Sequence, residues 1–260
     1  SIERIAEAKW ELMESLPSDG CAIVPWGVPA LDPQIRAYGK KIVFFGEDSS
    51  CPVRASQVEV GETVQFRLHV GSDSEVVRLP LAGRCNVSNA LAAAAVGWVN
   101  GYAISEIVRG LEGFEPPRMR MEAMRLQNGT IFINDAYNAN PSSMLQAVQS
   151  LSESYPTKRR VLVLGSMLEL GPASDRYHFH LGADIARSSV DKVFLYGEET
   201  KSVLEGAQAA GAPADRFVWF ATHDEIAEQV SPLMSPETVV LFKGSRGMQL
   251  EKVIEALGGH

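Results

Sequence analysis

The amino-acid sequence predicts an α/β protein whose second half folds around a mostly parallel β-sheet. Short apolar runs alternate there with helical patterns, and this alternation is typical of successive strand-helix units. The runs that we predict as strands are residues 130–133, 160–164, 192–196, 216–220 and 238–242. Because parallel strands joined by helices are covered on both faces, this half is predicted to be a self-contained Rossmann-like domain.

Helix start signals lie between these strands. We predict that helices begin near Pro141, Ser174, Glu199, Thr222 and Ser245. Asn140 precedes a proline, which is the arrangement of an N-cap followed by proline at the first helical position. Thr222 and Glu225 have the spacing of a capping box, in which each residue hydrogen-bonds the backbone of the other.

The first half has a less complete pattern. A β-hairpin is predicted from strands over 64–70 and 75–81, joined by residues 71–74. The other predicted elements are a helix over 2–16, strands over 21–24 and 41–45, a linker helix near 33–38, and helices over 86–100 and 105–111. A helix with no preceding strand is an awkward start for an α/β domain, so we expect this chain to be the tail of a longer protein.

The strongest break in the pattern is Glu115-Pro116-Pro117. Consecutive prolines interrupt both helices and strands, so we place a domain boundary and a hinge at this point. The predicted domains are residues 1–115 and 116–260.

Composition restricts the classes of function. The 260 residues carry a net charge of −8, which argues against a nucleic-acid partner. Apolar runs are too short for a membrane span, and the first residues have the pattern of an amphipathic helix rather than of a signal peptide. Cys21, Cys51 and Cys85 are predicted to be free thiols of a reducing compartment. We therefore expect a cytoplasmic protein without membrane insertion. We also expect a monomer.

A polar loop over residues 134–144 follows the first predicted strand of the second half. Open α/β sheets bind ligands at the carboxyl ends of their strands, so this loop is a candidate binding site. Asp, Asn, Pro and Ser are also the residues of ordinary turns and caps, and that alternative stays open.

Three further motifs are weak when each is considered alone. Lys243-Gly244-Ser245-Arg246 follows the last strand and could bind an anion at a helix N-terminus, or could be a capped turn with solvated charges. Residues 165–171 form another loop after a strand. Asn86 and Asn89 share a helix face and could contact the edge of a base, although Asn86 could instead be an N-cap.

In this order and spacing, the motifs together resemble the Mur ligase family along essentially the whole chain. The residues that match are Ala8–Glu11, Gly83, Asn86-Val87, Asn89–Leu91, Met119–Glu122, Asn134–Pro141, Leu168–Gly171, His178, Gly182 and Lys243–Arg246. Within the family, the chain is most similar to the members that add D-alanyl-D-alanine to UDP-MurNAc-tripeptide.

The resemblance implies that residues 1–115 are the later part of a central ATP-binding domain and that 116–260 are the C-terminal Rossmann-like domain. The sequence lacks the phosphate-loop pattern Gly-x-x-x-x-Gly-Lys-Ser/Thr. We therefore expect these 260 residues to be inactive alone. In the family, ATP phosphorylates the terminal carboxylate of the tripeptide, and the amine of D-Ala-D-Ala attacks the acyl phosphate with the help of Mg²⁺.

The resemblance also implies roles for particular residues. Asn86 and Asn89 would contact adenine, Asp135 would contact ribose, and Arg120 would face the phosphates. The residues that would line the meeting point of nucleotide and acceptor are Tyr137, Asn138, Lys243, Ser245 and Arg246. Lys9 matches a lysine that is carbamylated in the family and helps to hold a second Mg²⁺, although a solvated helix cation is the simpler interpretation. Lys9, Arg120 and Lys243 are thus the candidate catalytic residues.

The chain departs from the family pattern at a few positions. Cys85 stands where a histidine is usual, and Ser166 stands where an aspartate is usual. Residues 25–28 replace a stretch that is usually Asn-x-Asp-Asp. Two other hypotheses remain: a Mur-type amide ligase with another substrate, and a non-catalytic nucleotide-binding domain.

Overall fold

The chain forms two structural units, each built around its own β-sheet. The computed structural model describes residues 2–259. Unit 1 comprises the residues up to Pro80 together with Arg84–Phe114, and unit 2 comprises Leu81–Gly83 and the residues from Glu115 onward.

Unit 1 contains a five-stranded sheet in the order β1-β2-β3-β4-β5. Strands β1 to β3 are parallel, whereas β3, β4 and β5 are antiparallel. Its elements are α1 (Ile2–Glu14), β1 (Cys21–Pro25), α2 (Asp32–Ala37), β2 (Lys41–Gly46), β3 (Val53–Val60), β4 (Val64–Val70), β5 (Asp73–Leu79), α3 (Cys85–Val99) and α4 (Ile104–Glu112).

Strand β3 was absent from the sequence-based prediction. Its register shifts between Ser56 and Glu59, and Gln57 has a φ of 53°. This bulge breaks the alternation of apolar and polar residues that would reveal a strand. The predicted hairpin is confirmed, but its turn is shorter than predicted because Asp73 pairs with Val70 and Ser74 pairs with His69.

Unit 2 contains a six-stranded sheet in the order β10-β9-β8-β11-β7-β6. Five strands are parallel, and β6 is antiparallel to β7 at the edge, which confirms the mostly parallel sheet. Its elements are β6 (Glu122–Arg125), β7 (Ile131–Asp135), α5 (Pro141–Ser154), β8 (Arg159–Gly165), α6 (Ser174–Ala186), β9 (Lys192–Tyr196), α7 (Lys201–Ala209), β10 (Phe217–Phe220), α8 (His223–Val230), β11 (Thr238–Lys243) and α9 (Glu251–Ala256).

Helices cover both faces of this sheet. Buried residues of α5, α6 and α7 pack on one face, and those of α8 and α9 pack on the other. The chain proceeds from β7 to β8 and outward to β10, and then returns through α8 to insert β11 between β8 and β7. The strand order therefore reverses at β11, and such a switch point is where open α/β sheets bind ligands.

Both predicted helix caps are confirmed. The Asn140 side chain accepts a hydrogen bond from the Ser143 amide at 2.9 Å, and Thr222 Oγ1 accepts one from the Glu225 amide at 3.2 Å. The predicted helix start near Ser245 is wrong. Arg246–Met248 form a single 3₁₀ turn, Gln249 is left-handed with a φ of 51°, and α9 begins only at Glu251.

The segment between the two sheets is irregular. Residues 113–121 contain neither a helix nor a strand, and β6 follows them as a short edge strand that the sequence pattern did not predict. Among the described helices, none is both long enough and apolar enough to cross a bilayer.

Candidate active site

A buried ion pair lies at the switch point of the unit 2 sheet. Lys243 and Asp135 are register partners at the carboxyl ends of β11 and β7. Lys243 Nζ donates to Asp135 Oδ2 at 2.7 Å and to the Asn138 carbonyl at 3.0 Å. The Lys243 side chain is 3% exposed and that of Asp135 is 16% exposed. The ammonium is therefore directed at protein groups, while the carboxylate reaches solvent.

Asp135 also binds the irregular segment that precedes β6. Its Oδ1 accepts a hydrogen bond from the Met121 amide at 3.2 Å. A carboxylate has about four lone-pair sites, so these two bonds leave acceptor capacity on a partly exposed group. Asp135 can thus still accept hydrogen bonds from a ligand that carries hydroxyl groups.

The backbone on both sides of Arg120 is left-handed. Met119 has a φ of 63° and Met121 has a φ of 52°. This conformation is uncommon for residues other than glycine and persists only when surrounding contacts enforce it. Met119 is held by Tyr137, whose amide donates to its carbonyl at 3.2 Å, and by Glu122, which accepts from its amide at 2.9 Å. Met121 is held by Asp135, which accepts from its amide.

The Arg120 guanidinium lies over the ring of Tyr137, with 4.2 Å between its central carbon and the ring centroid. Such a cation–π contact is favourable without removing the cation from solvent. Both side chains are exposed, and Tyr137 is 47% exposed. The arrangement leaves an accessible positive charge on the residue before Met121, whose amide binds Asp135, and this charge could neutralise an anionic ligand.

Asn138, Ser245 and Arg246 differ in their accessibility. Asn138 is exposed, although its Oδ1 accepts from the Ala139 amide at 2.7 Å. Ser245 is buried, and its hydroxyl accepts from the Leu168 amide at 2.9 Å. Arg246 is exposed and pairs with Glu251. Ser245 precedes a 3₁₀ turn rather than an α-helix, so the predicted anion site lies at a single short turn and stays a prediction.

His178 stabilises the loop after β8, a role that the sequence pattern did not suggest. The ring is fully buried, and its Nε2 accepts from the Met167 amide at 2.9 Å. The proton must therefore be on Nδ1, which donates to the Ser174 carbonyl at 2.9 Å.

In unit 1, Asn86 and Asn89 lie on one face of α3. Asn89 Nδ2 donates to Asn86 Oδ1 at 3.2 Å, which confirms the predicted juxtaposition. Lys9 lies on the exposed side of α1. Residues 2–259 contain no group of three or more His, Cys, Asp or Glu residues that could hold a metal ion. The carbamylation of Lys9 stays a prediction.

Comparisons with known families define the class of protein. The model of the Mur ligase middle domain matches residues 1–97, and the model described as "Mur ligase, glutamate ligase domain" matches residues 119–246. Together the two models span most of both units. The chain belongs to the Mur ligase family.

Particular relatives are UDP-N-acetylmuramoyl-tripeptide–D-alanyl-D-alanine ligases. The chain is 34% identical to the Bacillus subtilis enzyme over 257 residues, which are 99% of this chain and 55% of that protein. It is 31% identical to the Escherichia coli enzyme over 266 residues, with 99% and 56% covered. The chain thus spans about half the length of the relatives that it matches.

Solved structures show the same similarity. A crystal structure of MurF from Acinetobacter baumannii superimposes with a TM-score of 0.86 at 33% identity, covering 97% of this chain and 55% of that one. The MurF ligase of Thermotoga maritima, solved in complex with ADP, gives a TM-score of 0.84 at 21% identity, covering 99% and 57%. Because its sequence identity is low, this second match shows only that the two chains share a fold.

Proposed function

We propose that these residues belong to an ATP-dependent ligase that adds D-Ala-D-Ala to UDP-MurNAc-tripeptide during peptidoglycan synthesis. The observation that carries the proposal is the site at the switch point. There an exposed arginine rests on the Tyr137 ring, and the amide of the next residue, Met121, donates to the part-exposed carboxylate of Asp135, in a chain about one third identical to ligases of that name. Residues 1–115 would be the later part of the ATP-binding domain, and residues 116–260 would be the C-terminal domain.

The proposed reaction requires the protein mainly to position the substrates and to neutralise the charge of the phosphate. A carboxylate is a poor electrophile, so its phosphorylation by ATP creates the leaving group that the incoming amine displaces. Exposed Arg120 would neutralise phosphate charge, and Asp135 would accept hydrogen bonds from the ribose diol. Asn86 and Asn89 would contact adenine. Tyr137 would contact the nucleotide, and the exposed side chains of Asn138 and Arg246 would contact the acceptor, whereas buried Ser245 would act through the Leu168 amide that it binds.

A nucleotide fits the side chains that are present. An accessible guanidinium complements a phosphate, and the remaining lone pairs of Asp135 complement two vicinal hydroxyls. Mg²⁺ would supply additional neutralisation of phosphate charge, and a carbamylated Lys9 is the residue that we propose to help hold it. We place the activity in the cytoplasm, where ATP is present, and expect a monomer.

We expect the 260-residue chain to show no ligase turnover. Its sequence has no Gly-x-x-x-x-Gly-Lys-Ser/Thr pattern, and the backbone and lysine of that loop are what hold the transferred phosphate in many nucleotide-hydrolysing proteins. The measurement is release of phosphate from ATP in the presence of UDP-MurNAc-tripeptide, D-Ala-D-Ala and Mg²⁺. Formation of the pentapeptide product above the level without enzyme would show this expectation to be wrong.

Binding can be measured in the absence of turnover. We expect Asp135→Ala to weaken binding of a non-hydrolysable ATP analogue by about tenfold or more, since a hydrogen bond to a charged group contributes about 1.5–3 kcal/mol. Isothermal titration of the analogue and, separately, of D-Ala-D-Ala would measure this. The matched control is Glu228→Ala, which removes an exposed carboxylate from α8. Equal affinity of Asp135→Ala and the wild-type chain would contradict the ribose contact.

A further inference from the structure

Lys243 is poorly placed to meet a ligand. Its side chain is 3% exposed, and two of the three N–H donors of its ammonium are used by Asp135 and by the Asn138 carbonyl. The other cation of the same motif, Arg246, has a side chain that is 55% exposed. Of these two cations, the buried one is therefore used to organise the protein rather than to attract an anion from solvent.

A continuous series of contacts connects Lys243 to Arg120. Lys243 donates to one oxygen of Asp135, and the other oxygen accepts from the Met121 amide at 3.2 Å. Met121 is the residue after Arg120, and the guanidinium of Arg120 rests on the ring of Tyr137. These contacts fix the backbone next to Arg120 to the carboxyl end of β7.

This series is needed because the segment is strained. Met119 and Met121 hold a left-handed conformation that is unfavourable for residues other than glycine, and they would relax if the neighbouring contacts were lost. A carboxylate that has lost its buried cation gains by turning toward water. Asp135 would then release the Met121 amide, and Arg120 would no longer be held over Tyr137.

We propose that Lys243 is a positioning residue. It holds Arg120 over the site through Asp135 and the Met121 amide, and it contacts neither phosphate nor acceptor itself. The contacts themselves involve no ligand. The inference therefore rests on the proposed function in one respect only, namely the phosphate that Arg120 is positioned to meet. It replaces the catalytic role that the sequence assigned to Lys243.

The test is the side-chain NMR signal of Arg120 in the Lys243→Met variant. The protons of a guanidinium that is stacked on an aromatic ring are shifted upfield by the ring current. In arginine-labelled protein, the signal that disappears in Arg120→Lys is the signal of Arg120. We expect Lys243→Met to abolish the upfield shift and to accelerate exchange of the Met121 amide proton by about tenfold, because that amide loses a charged acceptor. Lys243→Arg, which keeps a cation beside Asp135, is expected to restore both.

Lys252→Met is the matched control, because Lys252 is an exposed lysine of α9. It is expected to leave the Arg120 signal unchanged. A folded Lys243→Met variant that retains the Arg120 shift would overturn the inference, even if its melting temperature falls. If Lys243→Met does not fold, Asp135→Leu decides, because leucine offers no acceptor to the Met121 amide, and an unchanged Arg120 signal there overturns the inference equally. No nucleotide is present, so failure here leaves the proposed function intact, whereas failure of the nucleotide titration leaves this inference intact.

Discussion

Gly182→Ala is expected to lower the free energy of unfolding of unit 2 by about 3 kcal/mol. Gly182 lies where α6 crosses α7, and a Cβ at this position would lie 1.9 Å from the Val203 carbonyl oxygen. Gly206 of α7 packs against α6 in the same way, since a Cβ at this position would lie 1.9 Å from the Phe179 carbonyl oxygen. Because both obstacles are backbone atoms, the helices must separate. Urea denaturation followed by circular dichroism would measure the loss.

Gly110→Ala is the matched control for this prediction. Gly110 is also a helical glycine, in α4, but a Cβ there would meet no atom within 4 Å. Alanine is favoured over glycine in an open helix by about 0.5–1 kcal/mol, so Gly110→Ala is expected to stabilise unit 1 slightly. If both alanine variants shifted stability in the same direction, close packing of α6 on α7 would not be the reason for glycine at position 182.

The central strands of unit 2 could be predicted because buried strands are composed almost entirely of apolar residues, which are visible in the sequence. Every residue of β11 is buried, so the strand appears as an unbroken apolar run that ends at Lys243. The start of α5 was predictable for a similar local reason, because Asn140 and Pro141 satisfy the first turn of a helix without any distant partner.

The elements that were not predicted depend on distant contacts or on interrupted patterns. Strand β6 has four residues that alternate between half-buried and exposed, and only its pairing with β7 makes it a strand. Strand β3 contains a bulge. The delayed start of α9 follows from the left-handed Gln249, a non-glycine residue whose conformation no propensity scale predicts.

The residues of the candidate site could be selected from the sequence, but the separate role of each residue could not. Asp135 and Lys243 are 108 residues apart, and nothing local to either shows that they form a pair. They meet because β11 returns between β7 and β8, a topology that the order of elements along the chain leaves open. Two cations at a predicted helix start, together with the family resemblance, made Lys243 a candidate site residue, and only the structure shows that its charge is paired with Asp135.

Phe242→Ala is expected to lower the free energy of unfolding of unit 2 by about 3–5 kcal/mol, through loss of buried area and creation of a cavity. Phe242 is fully buried in β11, and its ring meets that of Phe132 on the neighbouring β7 at 5.0 Å in an edge-to-face contact. Such aromatic pairs contribute about 0.5–1.5 kcal/mol beyond their buried area. Denaturation in urea would measure the change.

The position of Phe242 gives this prediction a local consequence as well. Phe242 precedes Lys243 in β11 and is the register partner of Asn134, which precedes Asp135 in β7. The cavity would open on the face of the sheet that α8 and α9 cover, behind the strand ends that carry Asp135 and Lys243. We expect the loosened strand ends to make the Met121 amide exchange faster in Phe242→Ala. Phe242→Leu leaves a smaller void and is expected to cost less than half as much. A loss below about 1 kcal/mol in Phe242→Ala, with unchanged exchange at Met121, would contradict the view that these aromatic residues fix the two strand ends that carry the site.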